Sequence, residues 1–252
     1  MICFKYKFDV PLDSIERTLA HQKILASKPF LRKIYLEWYK WFIGYSRLYE
    51  TEKILEIGSG GGFLEELLPN LITSDIQPIE GVGLCFSALE IPLENQSLDG
   101  IYMVNVFHHI ADTEKFLAQA YRLLQLNGLI IMVEPANTIW SRFVYSKFHH
   151  ENFDSKGGWG FSDAGALSSS NVALPWIVFI RDRHLFKIRF PGFEIESIHF
   201  HTSFVYILSG GFTFRNLVPG FLFGTLNLID KILCRLSSQF AMFMTVKIRK
   251  VF

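Results

Sequence analysis

Acidic side chains and glycines are spaced here in a way that could hold a nucleoside. The stretch Ile54-Leu55-Glu56-Ile57-Gly58-Ser59-Gly60-Gly61-Gly62-Phe63-Leu64 is a short apolar run ending in glycines, the pattern of a buried strand entering a tight turn. Such a turn uses glycine where φ is positive or where a ligand must lie against the backbone. Asp75 follows roughly 20 residues after Glu56, at the end of the next apolar run, where a carboxylate can accept both hydroxyls of a ribose. A nicotinamide dinucleotide fold uses G-x-G-x-x-G, its third glycine permitting close packing of helix on strand. In this chain Phe63 occupies that third position, and the glycines run G-x-G-x-G at Gly58, Gly60 and Gly62. Glu56 would be awkward beside a pyrophosphate and suits a ligand that carries an ammonium group.

Histidines supply a second chemistry. His108 and His109 follow the fourth apolar run; His149, His150 and Glu151, with Asp154, follow the fifth. Histidine titrates near neutral pH and is suited to take a proton from a hydroxyl. Both pairs fall beyond the carboxyl ends of strands, where open parallel sheets bind ligands. His149 and His150 are the expected catalytic residues, whereas His108 and His109 are expected to pack or hydrogen-bond at a helix start. No metal site is expected from His149, His150 and Glu151, because adjacent histidines rarely point at one ion in a good tetrahedral set. Gly157-Gly158-Trp159-Gly160-Phe161 reads either as a lid over the acceptor or as a disordered surface loop.

The elements that must position these groups alternate strand and helix. Residues 13–49 read as two helices broken near Pro29, their aromatic positions, Trp38 and Trp41 included, spaced for core packing or for a cap over the ligand. Strands are expected at Lys53 to Ile57, Leu71 to Ile76, Val82 to Phe86, Asp99 to Val106 and Leu129 to Val133, with a helix after each strand. Thr113 to Leu126 carries the apolar stripe Phe116, Leu117, Ala120, Leu123, Leu124 and stops at Asn127-Gly128. This alternation predicts an α/β fold, a doubly wound, mostly parallel sheet with helices on both faces. Trp140 to Gly165 reads as irregular. Phe193 to Leu208 and Ala241 to Val251 read as two final strands separated by a helix at Leu222 to Leu236.

Taken together, these segments resemble the class I S-adenosylmethionine-dependent methyltransferases, particularly the small-molecule type. Ile54 to Leu64 is similar to the family's first motif. Ala88-Leu89-Glu90-Ile91-Pro92-Leu93 with Ser97-Leu98-Asp99 is similar to its ALPF…SFD segment, and Val106-Phe107-His108-His109-Ile110 resembles its LHHI. Leu123-Leu124 through Gly128-Leu129-Ile130 to Glu134-Pro135 is similar to its LLKPGGxLxxxEP turn. The resemblance covers about residues 50–136.

It implies a Rossmann-like seven-stranded sheet with an antiparallel C-terminal strand, and S-adenosyl-L-methionine as cofactor. By the same resemblance Glu56 orders the methionine end, and Gly58, Ser59, Gly60 and Gly62 pass beneath it. Asp75 holds the ribose, Ile76 flanks adenine, Ser87 and Ala88 meet the adenine edge, and Asn105 lines the methionyl pocket. Ser87 departs from the family, which often has an acid there; a hydroxyl accepts a hydrogen bond without the charge-assisted part. The tail, Tyr206-Ile207-Leu208-Ser209-Gly210-Gly211-Phe212 and Leu217-Val218-Pro219-Gly220, loosely resembles a subgroup associated with bacterial surface-glycan biosynthesis. The expected activity is methyl transfer to a hydroxyl of a sugar, glycan precursor or other small molecule. The alternatives are a cofactor-binding module without turnover and, less favoured because of Phe63, a nicotinamide dehydrogenase.

Composition bounds the rest. The 252 residues suit one domain, divided as a helical cap (1–49), a cofactor half (50–136) and a substrate-side remainder (137–252). Lys and Arg number 25 against 24 Asp and Glu, so no nucleic-acid partner is expected from charge. Cys3, Cys85 and Cys234 are scattered, which argues against a disulfide framework and for a reducing, cytoplasmic setting. The first residues lack a secretory pattern. With 25 phenylalanines, the chain has a surplus of aromatic surface. The Phe- and Leu-rich stretch Phe221 to Leu236 is expected to pack on the sheet, the alternative being peripheral contact with the inner face of a membrane and a lipid-linked acceptor.

Overall fold

The computed structural model describes residues 5–48, 53–148, 151–162, 165 and 167–252. Helices α1 (Ile15–Ser27) and α2 (Pro29–Leu48) open the chain. Ser14 caps α1 by accepting from the Arg17 amide, and Pro29 begins α2 where its missing N–H costs nothing. The sheet strands are β1 (Ile54–Ile57), β2 (Leu71–Asp75), β3 (Leu84–Cys85), β4 (Leu98–Val104), β5 (Leu124–Pro135), β6 (Phe193–His201) and β7 (Phe243–Lys250). They form one seven-stranded sheet in the order β3-β2-β1-β4-β5-β7-β6. β1 to β5 pair in parallel, and β7 runs antiparallel to both β5 and β6. This is the expected Rossmann-like architecture, and the order reverses at β1, beside β4, the crevice where such sheets bind ligands.

Alternation along the strands separates two cores. Ile101 and Met103 of β4 and Ile130 and Met132 of β5 face α3 (Thr113–Leu123), α5 (Leu174–Trp176, continuing as a π-helix over Ile177–Arg181) and α6 (Arg183–Arg189). Tyr102, Ile131 and Val133 face the other way, onto α2, α4 (Ile139–Phe148) and α7 (Phe204–Ser209). The aromatic run of α2 is largely core, with Trp38, Tyr39 and Phe42 almost fully buried.

Four expectations need correction. Helices do not follow every strand: only a 3-10 turn, Leu64–Glu66, links β1 to β2, and β2 to β3 and β3 to β4 cross in coil. Pro69, Pro78 and Pro92 fall one in each of these connections, where proline cannot supply the backbone donor a helix interior needs. The segment after residue 139 is not irregular throughout, because α4 forms on a reciprocal cap. The Thr138 amide donates to Ser141 Oγ (2.8 Å) and the Ser141 amide donates to Thr138 Oγ1 (3.0 Å). The strand expected to reach Leu208 stops at His201. Thr202 adopts φ 53°, and the buried Asp230 carboxylate then accepts from the amides of Ser203 and Val205 (2.9–3.1 Å), starting α7 instead. Finally, residues 157–161 are docked. Trp159 is buried, its indole N–H donates to Asp182 Oδ2 (2.9 Å), and the Phe161 amide donates to Ala111 O (3.1 Å).

The last helix, α8 (Phe223–Leu236), buries Phe223 and Asp230 and leaves Leu228, Ile229, Ile232 and Leu236 in solvent. Among the described residues no helix is long and apolar enough to cross a membrane. Cys85 and Cys234 are free thiols.

Candidate functional site

The glycine turn is stapled to β2. The amides of Gly58 and Ser59 both donate to Ser74 O at 2.9 Å, the Ser74 amide donates to Ser59 Oγ (3.3 Å), and Ser74 Oγ donates to Glu56 O (2.8 Å). Gly58 has φ 75°, and a β-carbon on it would lie 2.4 Å from Val106 Cγ2, so both conformation and space require glycine. A β-carbon on Gly60 would lie 2.8 Å from Asp75 Oδ2, the oxygen that accepts the Gly60 amide at 3.1 Å. Ser59 and Gly60 thus shape the turn without lining the space beside it. Phe63, in the place of a third dinucleotide glycine, is buried against Tyr39 with ring centroids 5.0 Å apart.

That space is a cavity of about 330 Å³. Glu56, Gly58, Gly62, Asp75, Ile76, Ser87, Ala88 and Asn105 all line it, so eight of the ten residues expected to hold the cofactor meet at one place. Glu56, one residue before the end of β1, is deeply buried, and burial pushes its carboxyl up to about 7, against the Ser59 hydroxyl and with the charges of Glu65 and Asp75 adding to the rise. A carboxylate raised by burial is stabilised by an incoming cation. Asp75, also raised by burial, is steadied by the amides of Gln77 (3.0 Å) and Gly60. Ile76 presents an exposed apolar face. Asn105 sits at φ 56° where β4 ends, a strained backbone of the kind found at ligand sites.

The same cavity is also lined by His108, His109 and Glu151. The histidines form a 3-10 turn, Phe107–His109, held by Glu134 of β5. Glu134 is fully buried: Oε1 accepts the amides of Val106 (2.8 Å) and Phe107 (2.7 Å), and Oε2 lies 2.6 Å from His108 Nδ1. His108 Nε2 lies 3.3 Å from Glu151 Oε2. Burial alone would lower the His108 imidazole, but Glu134, with Glu151 assisting, carries it up to about 10. His109 moves the other way, down to about 4, because it is buried and lies beside the charge of His108, against the pull of Glu151 and of the Ser169 carbonyl. His109 is therefore a neutral imidazole near pH 7. Its Nδ1, 3.0 Å from Ser169 O, carries the hydrogen, leaving Nε2 as a proton acceptor.

His149 and His150 lie outside the described residues. His108 and His109 do more than start a helix, and three contributions escaped the sequence reading. Glu134 was legible only as part of a turn motif, its neighbour across the sheet being invisible in a linear pattern. Tyr35 and Tyr39 of α2 reach the cavity as well as the core, and Tyr145 and Tyr206 close it from α4 and α7. For Tyr35 and Tyr39 the sequence signal was the aromatic spacing of an N-terminal cap.

The residues present fit S-adenosylmethionine on two observations: the glycine turn, Asp75 and Asn105 line one cavity, and a buried carboxylate faces it that an ammonium group would stabilise in its charged form. Residues 55–132 match the family described as a methyltransferase domain. An uncharacterised methyltransferase of Schizosaccharomyces pombe is 31% identical over 102 residues, 33% of this chain and 39% of that protein. The chain thus matches well under half the length of that curated relative. Among solved structures, a SAM-dependent methyltransferase from Archaeoglobus fulgidus is 18% identical, with TM-score 0.47, covering 84% of this chain and 94% of the other. An S-adenosylmethionine-dependent methyltransferase from Mesorhizobium loti is 13% identical, with TM-score 0.44, covering 78% and 90%. The strand–turn–strand that carries Glu56 and Asp75, together with β4, the histidine turn and most of β5, is the part of the chain that matches the methyltransferase-domain family.

Proposed function

We propose that the chain transfers a methyl group from S-adenosylmethionine to a hydroxyl of a sugar, a glycan precursor or another small molecule. The observation that carries this reading is a single cavity shared by the glycine turn and the histidine cluster. Glu56 would hold the amino group of the methionine moiety and Asp75 the ribose hydroxyls. Ile76, Ser87 and Ala88 would surround adenine, and Asn105 would flank the methionyl chain. When bound, the cofactor supplies a methyl carbon made electrophilic by its positive sulfur.

The chain's own residues then position and deprotonate. Tyr35, Tyr145 and Tyr206 narrow the cavity and exclude water, which favours a near-attack arrangement of the acceptor. His109 Nε2 is a neutral acceptor able to take the hydroxyl proton. Glu134 holds His108 in place, and the His108 charge keeps His109 deprotonated. His149 and His150 remain candidates for the same role by their sequence proximity to Glu151. The exposed apolar strip of α8 suits an acceptor carried on lipid.

The test is transfer of label from methyl-labelled S-adenosylmethionine to a cell-envelope extract and to a panel of hydroxylated small molecules, with His109→Ala, His149→Ala and His150→Ala in parallel. Transfer that falls at least about tenfold in one of these variants is expected, general-base catalysis contributing roughly 10²–10⁴-fold. Tight cofactor binding with no transfer to any fraction would identify a binding module instead, and amine or carbon products would move the acceptor class.

A further inference from the structure

We propose that His108, His109 and Glu151 bind a divalent transition cation, zinc fitting the donor set best, with an open coordination position facing the cavity. One ligand atom from each of the three lies within 4.8 Å of the others. His108 Nε2 and Glu151 Oε2 are 3.3 Å apart, the separation of two ligands each about 2.0–2.1 Å from a tetrahedral ion. His109 Nε2 is 4.0 Å from Glu151 Oε1, so a small side-chain movement completes the set. Adjacent histidines seldom converge on one ion, but the 3-10 turn brings these rings to 4.2 Å between centroids with 41° between their planes.

The groups behind the donors match what a metal requires. A ligating histidine commonly donates its other ring N–H to a carboxylate or a backbone carbonyl, which fixes the tautomer and aims the free nitrogen. Both arrangements occur here: His108 Nδ1 is 2.6 Å from the Glu134 carboxylate, and His109 Nδ1 is 3.0 Å from Ser169 O. An ion pair between His108 and Glu151 would need neither His109 nor its anchored Nδ1. Charge agrees as well once the ion displaces the proton on His108 Nε2, since two neutral imidazoles with the carboxylates of Glu134 and Glu151 carry two negative charges, which one divalent cation cancels. Two nitrogens and one carboxylate, with a fourth position left to the cavity, form a donor set of the catalytic zinc type. Binding of the cation stands on this geometry alone. Its use in turnover rests on the methyl-transfer reading, with His109 Nε2 then a ligand and no longer the base: a hydroxyl coordinated at the open position would release its proton to solvent more readily.

The experiment titrates the chelator-treated full-length protein with zinc chloride by calorimetry, and with cobalt(II) by visible absorption. One ion per chain and a tetrahedral cobalt spectrum are expected. His109→Ala and Glu151→Gln should each weaken zinc at least about 100-fold, and Glu134→Gln roughly 10–100-fold. Circular dichroism and S-adenosylhomocysteine affinity within a few-fold of the parent would establish that each variant folds. No binding by the folded parent, binding indifferent to both ligand substitutions, or binding lost only in His149→Ala or His150→Ala would overturn the site. Failure of the methyl-transfer reading would instead show as absent S-adenosylhomocysteine binding or absent turnover with the metal still bound.

Discussion

Glu56→Gln separates what the site needs from what the fold tolerates. In the ligand-free protein, burial raises this carboxyl from 4.5 to about 7. The folded pKa exceeds the unfolded one, so its contribution to stability is fully present below pH 4.5 and is lost as pH rises through about 7. At pH 8 the ionised group costs the native state about 3 kcal/mol. Glutamine keeps the shape and removes the charge. With roughly 2–4 °C per kcal/mol for a chain of this size, the ligand-free variant should melt roughly 6–12 °C above the parent at pH 8, and that advantage should shrink towards zero at pH 5.

Cofactor affinity should move the opposite way. A hydrogen bond to a charged group is worth about 1.5–3 kcal/mol, so S-adenosylhomocysteine should bind the variant roughly 10–100-fold more weakly at pH 8. In the parent only the ionised fraction of Glu56 is competent, so the dissociation constant should rise about tenfold per pH unit below about 7. Calorimetry in two buffers of different ionisation enthalpy would detect the proton released on binding at pH 6. A parent affinity flat from pH 5.5 to 8, or a variant that binds normally, would refute the assignment of Glu56 to the cofactor's ammonium group.

Other consequences follow from the same coordinates. Gly58→Ala forces a β-carbon onto Val106 at φ 75° and should cost about 2 kcal/mol or more; a thermal melt within about 2 °C of the parent would contradict the strained turn. Glu134→Ala leaves His108 and the amides of Val106 and Phe107 without their buried acceptor and should destabilise by about 3–5 kcal/mol; denaturant unfolding that shows a loss below about 1 kcal/mol would mean the pair is dispensable. If the α8 strip meets a lipid surface, the double substitution Leu228→Glu with Ile232→Glu should abolish sedimentation with anionic vesicles and leave the melting temperature nearly unchanged, since both side chains are exposed. Equal sedimentation of parent and variant would remove that role.

Local pattern decided a large part of this protein. Five parallel strands, the break at Pro29, the glycine turn and the acidic residues Glu56 and Asp75 were legible because strand burial, positive φ and caps are short-range demands that residue types must meet in place. Eight of the ten expected cofactor residues line one cavity, at or just beyond the carboxyl ends of the parallel strands that the alternating pattern implies. Where the pattern misled, a partner distant in sequence had won. Asp230 turned the expected end of β6 into a helix, and Asp182 and Ala111 pinned the glycine-rich segment expected to be a lid or a disordered loop. Only tertiary structure could bring Glu134, His108, His109 and Glu151 together, because β5 lies beside β4 through a crossover and the charge states of His108 and His109 depend on these neighbours. A linear sequence carries the identity of such groups but not the few ångströms between them, and those distances set their electrostatics.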